Sequence, residues 1–298
     1  MSRCGWRSGW LVMMTWLGMG MIALGLFSSA HAEASLGLKP ASHVSGTWAQ
    51  GWNDSAVRSS AAATYSHFVY LPISLKPEDV CRSTGTSYGS IPVTPRTGSP
   101  ETHPDINLAV RGYTPTLDYT LGLVDINGPQ DPGAPQLDGL FPIVHAPTIV
   151  ANYQVYGWWD GCNCRIGPIS PPDDPEVTLI ELAANPGDIV RVPDRNGGEI
   201  GLGYKAMVLY ASTNRITLKY TSEDDMVSGY GLHLENICVD ASLLALYNQL
   251  HSQGRTALPA LNAGQAIGRV PGATFGLAIR DNGTFMDPRV RKDWWRGY

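Results

Sequence analysis

Apolar and polar residues alternate in three segments of the last third of the chain, and this alternation limits the fold more than any other feature. The segments are residues 215–221, 230–235 and 275–280. Successive side chains of a β-strand point to opposite faces of a sheet, so each segment is predicted to be a strand with one apolar face. Apolar faces must share a core. We therefore predict a mainly β domain with an antiparallel, sandwich-like sheet arrangement.

Glycine and proline support the same fold class. The chain has 33 glycines and 22 prolines, 55 of 298 residues, which argues against a helical bundle and for short strands joined by turns. One helix is predicted near 241–253, with Asp240 as its N-cap and Gly254 at its C-terminal end. Further strands are predicted at 107–111, 119–124, 147–156 and 177–182.

The N-terminus has the pattern of a secretion signal. Arg3 and Arg7 precede an apolar run at 10–27, and the small-residue site Ala-His-Ala follows at 30–32. We predict that residues 1–32 are a cleaved signal peptide and that the protein is secreted, extracellular or at the cell surface. An uncleaved membrane anchor is the alternative. No other stretch is long enough to span a bilayer, so no membrane span is expected after cleavage.

The exported chain divides into three parts by composition. Residues 33–80 are predicted to be a flexible lead segment that contains one short apolar block at 67–73, interpreted as an edge strand. Residues 81–104 are rich in Gly, Pro, Ser and Thr and are predicted to be a linker or an extended arm that docks along a sheet. With this arm, residues 81–298 form the secreted β domain. The acidic turns at 171–175 and 223–225 are interpreted as solvated turns, because neither has the ligand spacing of a calcium loop.

Four cysteines remain after signal cleavage, which is an even number in an oxidising compartment. Three pairings are possible, and we favour Cys162 with Cys164 and Cys81 with Cys238. A thiolate metal site is the alternative, but structural zinc usually requires Cys-x₂₋₄-Cys spacing. No metal and no cofactor are therefore expected.

Charge and motifs exclude several classes of function. The net charge is −5, and without a basic excess a nucleic-acid partner is not expected. The chain contains no P-loop and no Gly-x-Gly-x-x-Gly signature.

Five motifs in order give the region 204–288 a resemblance to a known family. They lie at 206–211, 216–220, 229–234, 261–268 and 278–288. The segment 261–268 resembles the turn V-x-x-G-Q-x-I-G, and residues 278–283 with Asp287-Pro288 resemble E-V-R-x-N-G…D-P. The region resembles a degenerate member of the lysostaphin-like zinc endopeptidases, the M23 family, which cut peptidoglycan cross-bridges. The resemblance implies a half-barrel β fold in the C-terminal part, with the helix near 241–253 as an insertion.

The zinc chemistry of that family does not carry over by residue. Family members use a His-x-His strand, and residues 274–276 of this chain are Thr-Phe-Gly. Zinc in such enzymes takes three protein ligands and keeps one position for water. Only His233 matches an active-site position, that of a histidine that assists catalysis. The resemblance therefore implies the fold and a binding groove, whereas enzyme activity is not expected.

Several side chains are candidates for binding. His233 shares a strand face with Glu235, and Tyr230 is on the same strand, so these three residues could line a groove, although a hydrogen-bonded sheet histidine is the simpler interpretation. Trp158 and Trp159 place two indoles in a turn-rich segment, where they could stack on sugars or fill the core beside a disulfide. The C-terminal residues 289–296 mix four cations with two tryptophans, which could contact an anionic polymer or dock back onto the domain.

Three functional classes follow from these features. We favour a secreted or cell-surface, non-catalytic domain that binds a cell-wall or other extracellular glycan or peptide. The alternatives are a zinc metallopeptidase-like peptidoglycan hydrolase and a structural surface protein. The sequence gives no indication of oligomeric state.

Overall fold

The computed structural model describes residues 80–170 and 177–298. The predicted signal peptide, all but the last residue of the predicted lead segment with its edge strand at 67–73, and the acidic turn at 171–175 lie outside the described residues. The rest is mainly β, with antiparallel sheets and few helices, as the alternation predicted.

Strands make up most of the regular structure. They are β1 (Gly89–Pro92), β2 (Tyr113–Pro115), β3 (Ile149–Trp159), β4 (Cys164–Pro168), β5 (Leu179–Ala183), β6 (Ile189–Arg191), β7 (Ala206–Ala211), β8 (Arg215–Lys219), β9 (Tyr230–Glu235), β10 (Cys238–Val239), β11 (Ala257–Leu261), β12 (Ala266–Arg269), β13 (Thr274–Asp281) and β14 (Thr284–Met286). The helices are α1 (Leu108–Arg111), α2 (Ala241–Ser252) and α3 (Arg291–Trp294), with 3₁₀ turns at Pro100–Thr102 and Leu137–Leu140.

Two antiparallel sheets organise these strands. The large sheet has the order β1-β11-β7-β8-β9-β13-β5-β3-β2, with β14 added to β13 and β4 added to β3. The small sheet has the order β10-β12-β6. The segments that resemble the lysostaphin-like family are therefore neighbouring strands of the large sheet and part of the small one, while the family resemblance itself stays a prediction.

Both faces of the large sheet are covered in its middle. On β9, Leu232 and Leu234 belong to the main hydrophobic core, and Phe275, Leu277 and Ile279 of β13 join them. The opposite face carries a smaller cluster, made of Leu108, Val155, Leu179, Ala278 and Phe285. Helix α1 and strand β14 supply Leu108 and Phe285 to it, so they cover this second face.

The predicted helix and strands are mostly confirmed. Helix α2 begins after Asp240, whose carboxylate accepts a hydrogen bond from Ser242 N at 2.9 Å, and Gly254 follows its last turn with φ of +91°. Its buried residues Leu243 and Tyr247 pack toward β7 and β11. Strand β1 lies in the segment predicted at 81–104, and it pairs with β11 at the edge of the large sheet.

Two predicted strands are wrong. Residues 108–111 form helix α1, because the Asn107 side chain caps Ala109 N and Gly112, at φ of +68°, ends the turn. Residues 119–124 form no strand. The carbonyls of Asp118 and Thr120 accept hydrogen bonds from Asn152 Nδ2, and Thr120 O also accepts one from Arg289, so side chains take up carbonyl groups that a ladder would use.

The structure contains both favoured disulfides. Cys81 is bonded to Cys238 across 157 residues, and Cys162 is bonded to Cys164 within the turn between β3 and β4. Residues 80–170 and 177–298 include no helix that is both long and apolar enough to cross a membrane.

The C-terminal tryptophans dock onto the domain, which was one of the two predicted possibilities. Trp294 and Trp295 are buried, and their indole N–H groups donate to Asp287 O and Pro288 O. Arg289 is also buried, where it pairs with Asp287 and Asp118. These groups form part of the core, and the tryptophans present no free surface to a partner.

Candidate functional site

A polar row crosses the second face of the large sheet. Strand register aligns Arg215 of β8 with Glu235 of β9, Glu235 with Gly276 of β13, and Gly276 with Glu181 of β5. Directly paired residues of neighbouring strands point to the same face. Two carboxylates therefore lie two strands apart, about 10 Å between their backbones, with a glycine between them.

This row lines a small cleft, which we call the Glu235 cleft. It has a volume of about 50 Å³ and is lined by Tyr113, Tyr153, Leu179, Glu181, Glu235, Asn236 and Gly276. A Cβ atom added to Gly276 would lie 3.1 Å from Glu235 Cβ, so the glycine keeps the floor open. Tyr113 and Tyr153 pack edge to face with ring centroids 5.3 Å apart and form one wall.

The two carboxylates of the Glu235 cleft have different surroundings. Glu181 accepts hydrogen bonds from Tyr153 Oη at 3.1 Å and from the Thr274 hydroxyl. The side chain of Glu235 is 6% exposed, and its charged partner is Arg215, whose Nη1 lies 3.4 Å from Oε2. Burial raises the pKa of Glu235 to about 7 despite the opposing attraction of Arg215. Glu235 is therefore close to half protonated at neutral pH.

His233 is fully buried between strands and does not line this cleft. Thr217 donates its single hydroxyl proton to Ile106 O at 2.6 Å, so its oxygen accepts from His233 Nδ1 at 3.1 Å. The neutral ring therefore carries its proton on Nδ1. His233 Nε2 is buried and has no hydrogen-bond partner among the described residues. Burial and the nearby Arg280 lower the pKa of His233 to about 3.

An ionic cluster covers the histidine. Asp105 pairs with both Arg111 and Arg280, and both guanidinium groups lie over the Phe285 ring. Phe285 in turn stacks on His233 with centroids 5.9 Å apart. The two arginines hold the pKa of Asp105 at about 2 against the effect of burial. The arrangement fixes α1 and the preceding loop over the sheet.

A larger cleft, which we call the Trp158 cleft, lies beyond this cluster. It has a volume of about 300 Å³ and is lined by Arg96, Thr97, Gly98, Ser99, Thr102, His103, Pro104, Asp105, Trp158, Asp160 and Asn163. One wall is the β3–β4 hairpin, whose tip is closed by the Cys162–Cys164 disulfide. The other wall is the segment between β1 and α1.

The Trp158 cleft presents donors and acceptors beside one indole. The backbone N–H of Asp105 donates to His103 Nδ1 at 3.1 Å, and burial together with the Arg96 charge lowers the pKa of His103. His103 is therefore neutral at pH 7 with its proton on Nε2, which makes Nε2 a donor. Asp160 and Asn163 supply acceptors from the hairpin tip.

The other predicted residues lie elsewhere. Trp159 follows Trp158 on the strand, points away from this cleft and is 60% exposed. Tyr230 is buried on the main-core side, where its hydroxyl donates to Asp131 and its ring packs against Trp294. The structure thus divides the predicted set, with Glu235 and Trp158 each lining a cleft and His233 and Tyr230 buried away from both.

Sequence reasoning missed most lining residues of both clefts. Glu181 lies in a predicted strand, but its alignment with Glu235 depends on β5 pairing with β13, which pattern alone does not specify. Arg96 and His103 lie in a segment whose composition indicated only an extended arm. For the Glu235 cleft, one signal was available in the sequence. Gly276 is a glycine inside a predicted strand, and such a glycine often marks the close approach of a ligand or of another backbone.

No group of three or more His, Cys, Asp and Glu side chains that could hold a metal ion occurs within the described residues. At residues 274–276, where the predicted resemblance would place zinc-binding histidines, Thr274 donates to Glu181 and Gly276 has no side chain. Neither residue can supply a nitrogen ligand.

Comparison of the chain with protein-family models, with curated proteins and with solved structures found no match.

Proposed function

We propose that this protein is a secreted or cell-surface, non-catalytic domain that binds a cell-envelope or extracellular glycan in the Trp158 cleft. The observation that carries the proposal is the half-buried indole of Trp158 in a cleft of about 300 Å³ whose other lining groups are mostly polar. That volume is at the lower end of the range for small-ligand sites.

The chemistry of the cleft suits a saccharide. A sugar ring has an apolar face that packs on an indole and hydroxyl groups around its edge that both donate and accept. Arg96 and His103 Nε2 offer donors, while Asp160 and the Asn163 amide offer acceptors. A peptide chain would instead favour an exposed strand edge or apolar pockets.

The neighbouring surface extends this cleft in a way that suits a polymer. A depression of about 530 Å³ is lined by Thr94, Arg96, Thr97, Ser222, Glu223, Asp224 and Asp225. It shares Arg96 and Thr97 with the Trp158 cleft, so the two form a groove on both sides of these residues. A groove longer than one sugar ring favours a glycan chain over a monosaccharide.

Export and the residue pattern support the remaining parts of the proposal. Two disulfides are compatible with an oxidising compartment, and the N-terminal pattern predicts secretion. Thr274 and Gly276 in place of imidazoles support a binding role over zinc-dependent hydrolysis.

The test compares two adjacent tryptophans. The oxidised protein is incubated with insoluble peptidoglycan sacculi and, separately, titrated with the tetramer of N-acetylglucosamine. We expect Trp158→Ala to lower affinity at least tenfold, because it removes the stacking surface. Trp159→Ala is the matched control, since its indole is outside the cleft, and should stay within twofold of the unmodified protein.

Circular dichroism would establish that both variants are folded. Equal retention of the two variants on sacculi, or no binding of the unmodified protein to either probe, would show that the Trp158 cleft is not a glycan site.

A further inference from the structure

We propose that the Glu235 cleft is a second binding site, specific for a primary ammonium group such as the end of a lysine or other amino-bearing side chain. It is separate from the proposed glycan site, because no residue lines both the Glu235 cleft and the Trp158 cleft.

Three side chains with acceptor oxygens line this cleft. Glu235 and Glu181 contribute carboxylates. Asn236 donates its Nδ2 to Thr274 O at 3.0 Å, so the amide oxygen is its remaining acceptor. An ammonium group has three N–H donors and no acceptor, so each of these three groups could accept one of its hydrogen bonds.

Glu235 is the second, independent indication of a ligand. Its side chain is only 6% exposed to solvent. Among the described residues, none donates a hydrogen bond to its carboxylate. Arg215 lies at 3.4 Å, but its buried Nη1 makes no hydrogen bond either. The ion pair with Arg215 offsets the burial of this carboxylate only in part, so an added N–H donor here is favourable.

Charge and size select the ligand. When ionised, Glu181, Glu235 and Arg215 sum to a charge of −1, so one monovalent cation neutralises the group. The cleft is small, with a volume of about 50 Å³, which suits a narrow group such as an ammonium and its adjoining methylene. The rings of Tyr113 and Tyr153 line the cleft, and aromatic rings attract such cations. Calcium is disfavoured because it takes six to eight oxygens.

The proposal predicts a pH dependence of binding. The groups facing Glu235 are Arg215, Glu181, Tyr113 and Tyr153, and the pKa values of both tyrosines are raised by burial, so they stay neutral. The ammonium is charged throughout this range. Binding requires ionised Glu235, whose pKa is about 7, so apparent affinity should be about tenfold weaker at pH 6 than at pH 8.

The experiment titrates the oxidised protein with Nα-acetyl-lysine amide and follows backbone amide shifts of β9 and β13 by NMR. The matched probe is the same molecule acetylated on Nε, which keeps the length and removes the charge. We expect saturable binding of the first probe at pH 8 and at least tenfold weaker binding of the second. Calcium chloride titrated alone should leave these resonances unchanged.

Variants make the assignment specific. Glu235→Gln should weaken binding of the lysine probe at least tenfold and abolish its pH dependence. Gly276→Ala should weaken binding by filling the floor, and its backbone has no positive φ to strain. Glu199→Gln removes an exposed carboxylate and should change nothing.

Three results would overturn the proposal: equal binding of the two probes, unchanged affinity in both cleft variants, or tighter binding at pH 6. Trp158→Ala should leave lysine-probe binding intact. Failure of the ammonium site is therefore distinguishable from failure of the glycan site.

Discussion

His233 and Glu235 show how strongly a covered sheet face acts on individual residues. They lie two positions apart on β9 and share a face, and burial shifts both pKa values toward the neutral form. For His233 the folded value is about 3, below the unfolded value near 6.5. The unfolded chain therefore binds a proton before the folded protein does, and stability falls as pH drops below about 6.5.

This difference predicts an acid-sensitive stability that depends on one side chain. Between pH 6.5 and pH 4, His233 should account for a loss of about 3 kcal/mol in the free energy of unfolding, at about 1.4 kcal/mol per pH unit. In His233→Gln that part of the slope should disappear, although the variant is less stable at pH 7. Urea denaturation at several pH values measures both slopes.

His145 provides the control. It is exposed, so His145→Gln should keep the slope of the unmodified protein. Parallel pH profiles for His233→Gln and the unmodified protein would mean that His233 is not the acid-sensitive group.

For these two residues, the sequence predicted that they share one face of a strand, but it did not predict which residues cover that face. The alternation in 230–235 placed His233 and Glu235 together correctly. This face is covered by two distant parts of the chain, one with Ile106 and Leu108 and the other with Phe285. A local pattern shows which residues share a face, whereas the pieces that cover that face are set by tertiary packing.

Single elements are held by a few shared groups, of which Asp240 is the clearest. It caps helix α2 through Ser242, and its Oδ2 accepts from Thr84 N at 2.6 Å and Thr84 Oγ1 at 2.7 Å. These contacts hold the pKa of Asp240 at about 2. One carboxylate thus anchors a helix and the arm that leads to β1.

Asp240→Ala should therefore destabilise the protein by about 2 kcal/mol, because a lost N-cap costs about 0.5–2 kcal/mol and the two hydrogen bonds from Thr84 are lost with it. It should also release the arm near residues 83–88 to early proteolysis, even with the Cys81–Cys238 disulfide intact. Thermal denaturation and limited trypsin digestion measure the two effects. Asp125→Ala, at an exposed carboxylate paired only with Arg291, is the comparison variant. A variant with normal stability and a protected arm would contradict the dual role.

Elements with local signals were predictable and those with distant partners were not. Helix α2 has its cap, apolar stripe and terminal glycine within 15 residues, and it was predicted within one residue. The segment 119–124 looked like a strand in composition, but Asn152 and Arg289 bind the carbonyls of Asp118 and Thr120. No local pattern reports a competitor that is 30 or 170 residues away.

Over the whole molecule, the C-terminal residues act as a structural closure. Trp294 and Trp295 join the same core as β9 and β13. Burial of Trp295 is complete, so Trp295→Ala should cost about 3–5 kcal/mol. Because the large sheet is continuous, the loss should appear as one transition with the same midpoint by fluorescence and far-ultraviolet circular dichroism.

Trp159→Ala tests the specificity of that loss. Its indole is mostly exposed, and substitution should change stability by less than about 0.5 kcal/mol. Equal destabilisation by both variants, or two separate transitions in Trp295→Ala, would refute a single core closed by the C-terminus.

The path of the arm has a consequence for biosynthesis. Strand β1 pairs with β11, so residues near 90 have no strand partner until residues near 260 have been synthesised. At ordinary rates of synthesis this interval is roughly ten to thirty seconds. During that interval Cys81 has no native partner, and Cys162 and Cys164 are made before Cys238. Since these two are separated by one residue, they can close on each other at once. The small disulfide at the hairpin tip thereby withdraws the Cys162 and Cys164 thiols from competition before Cys238 is made.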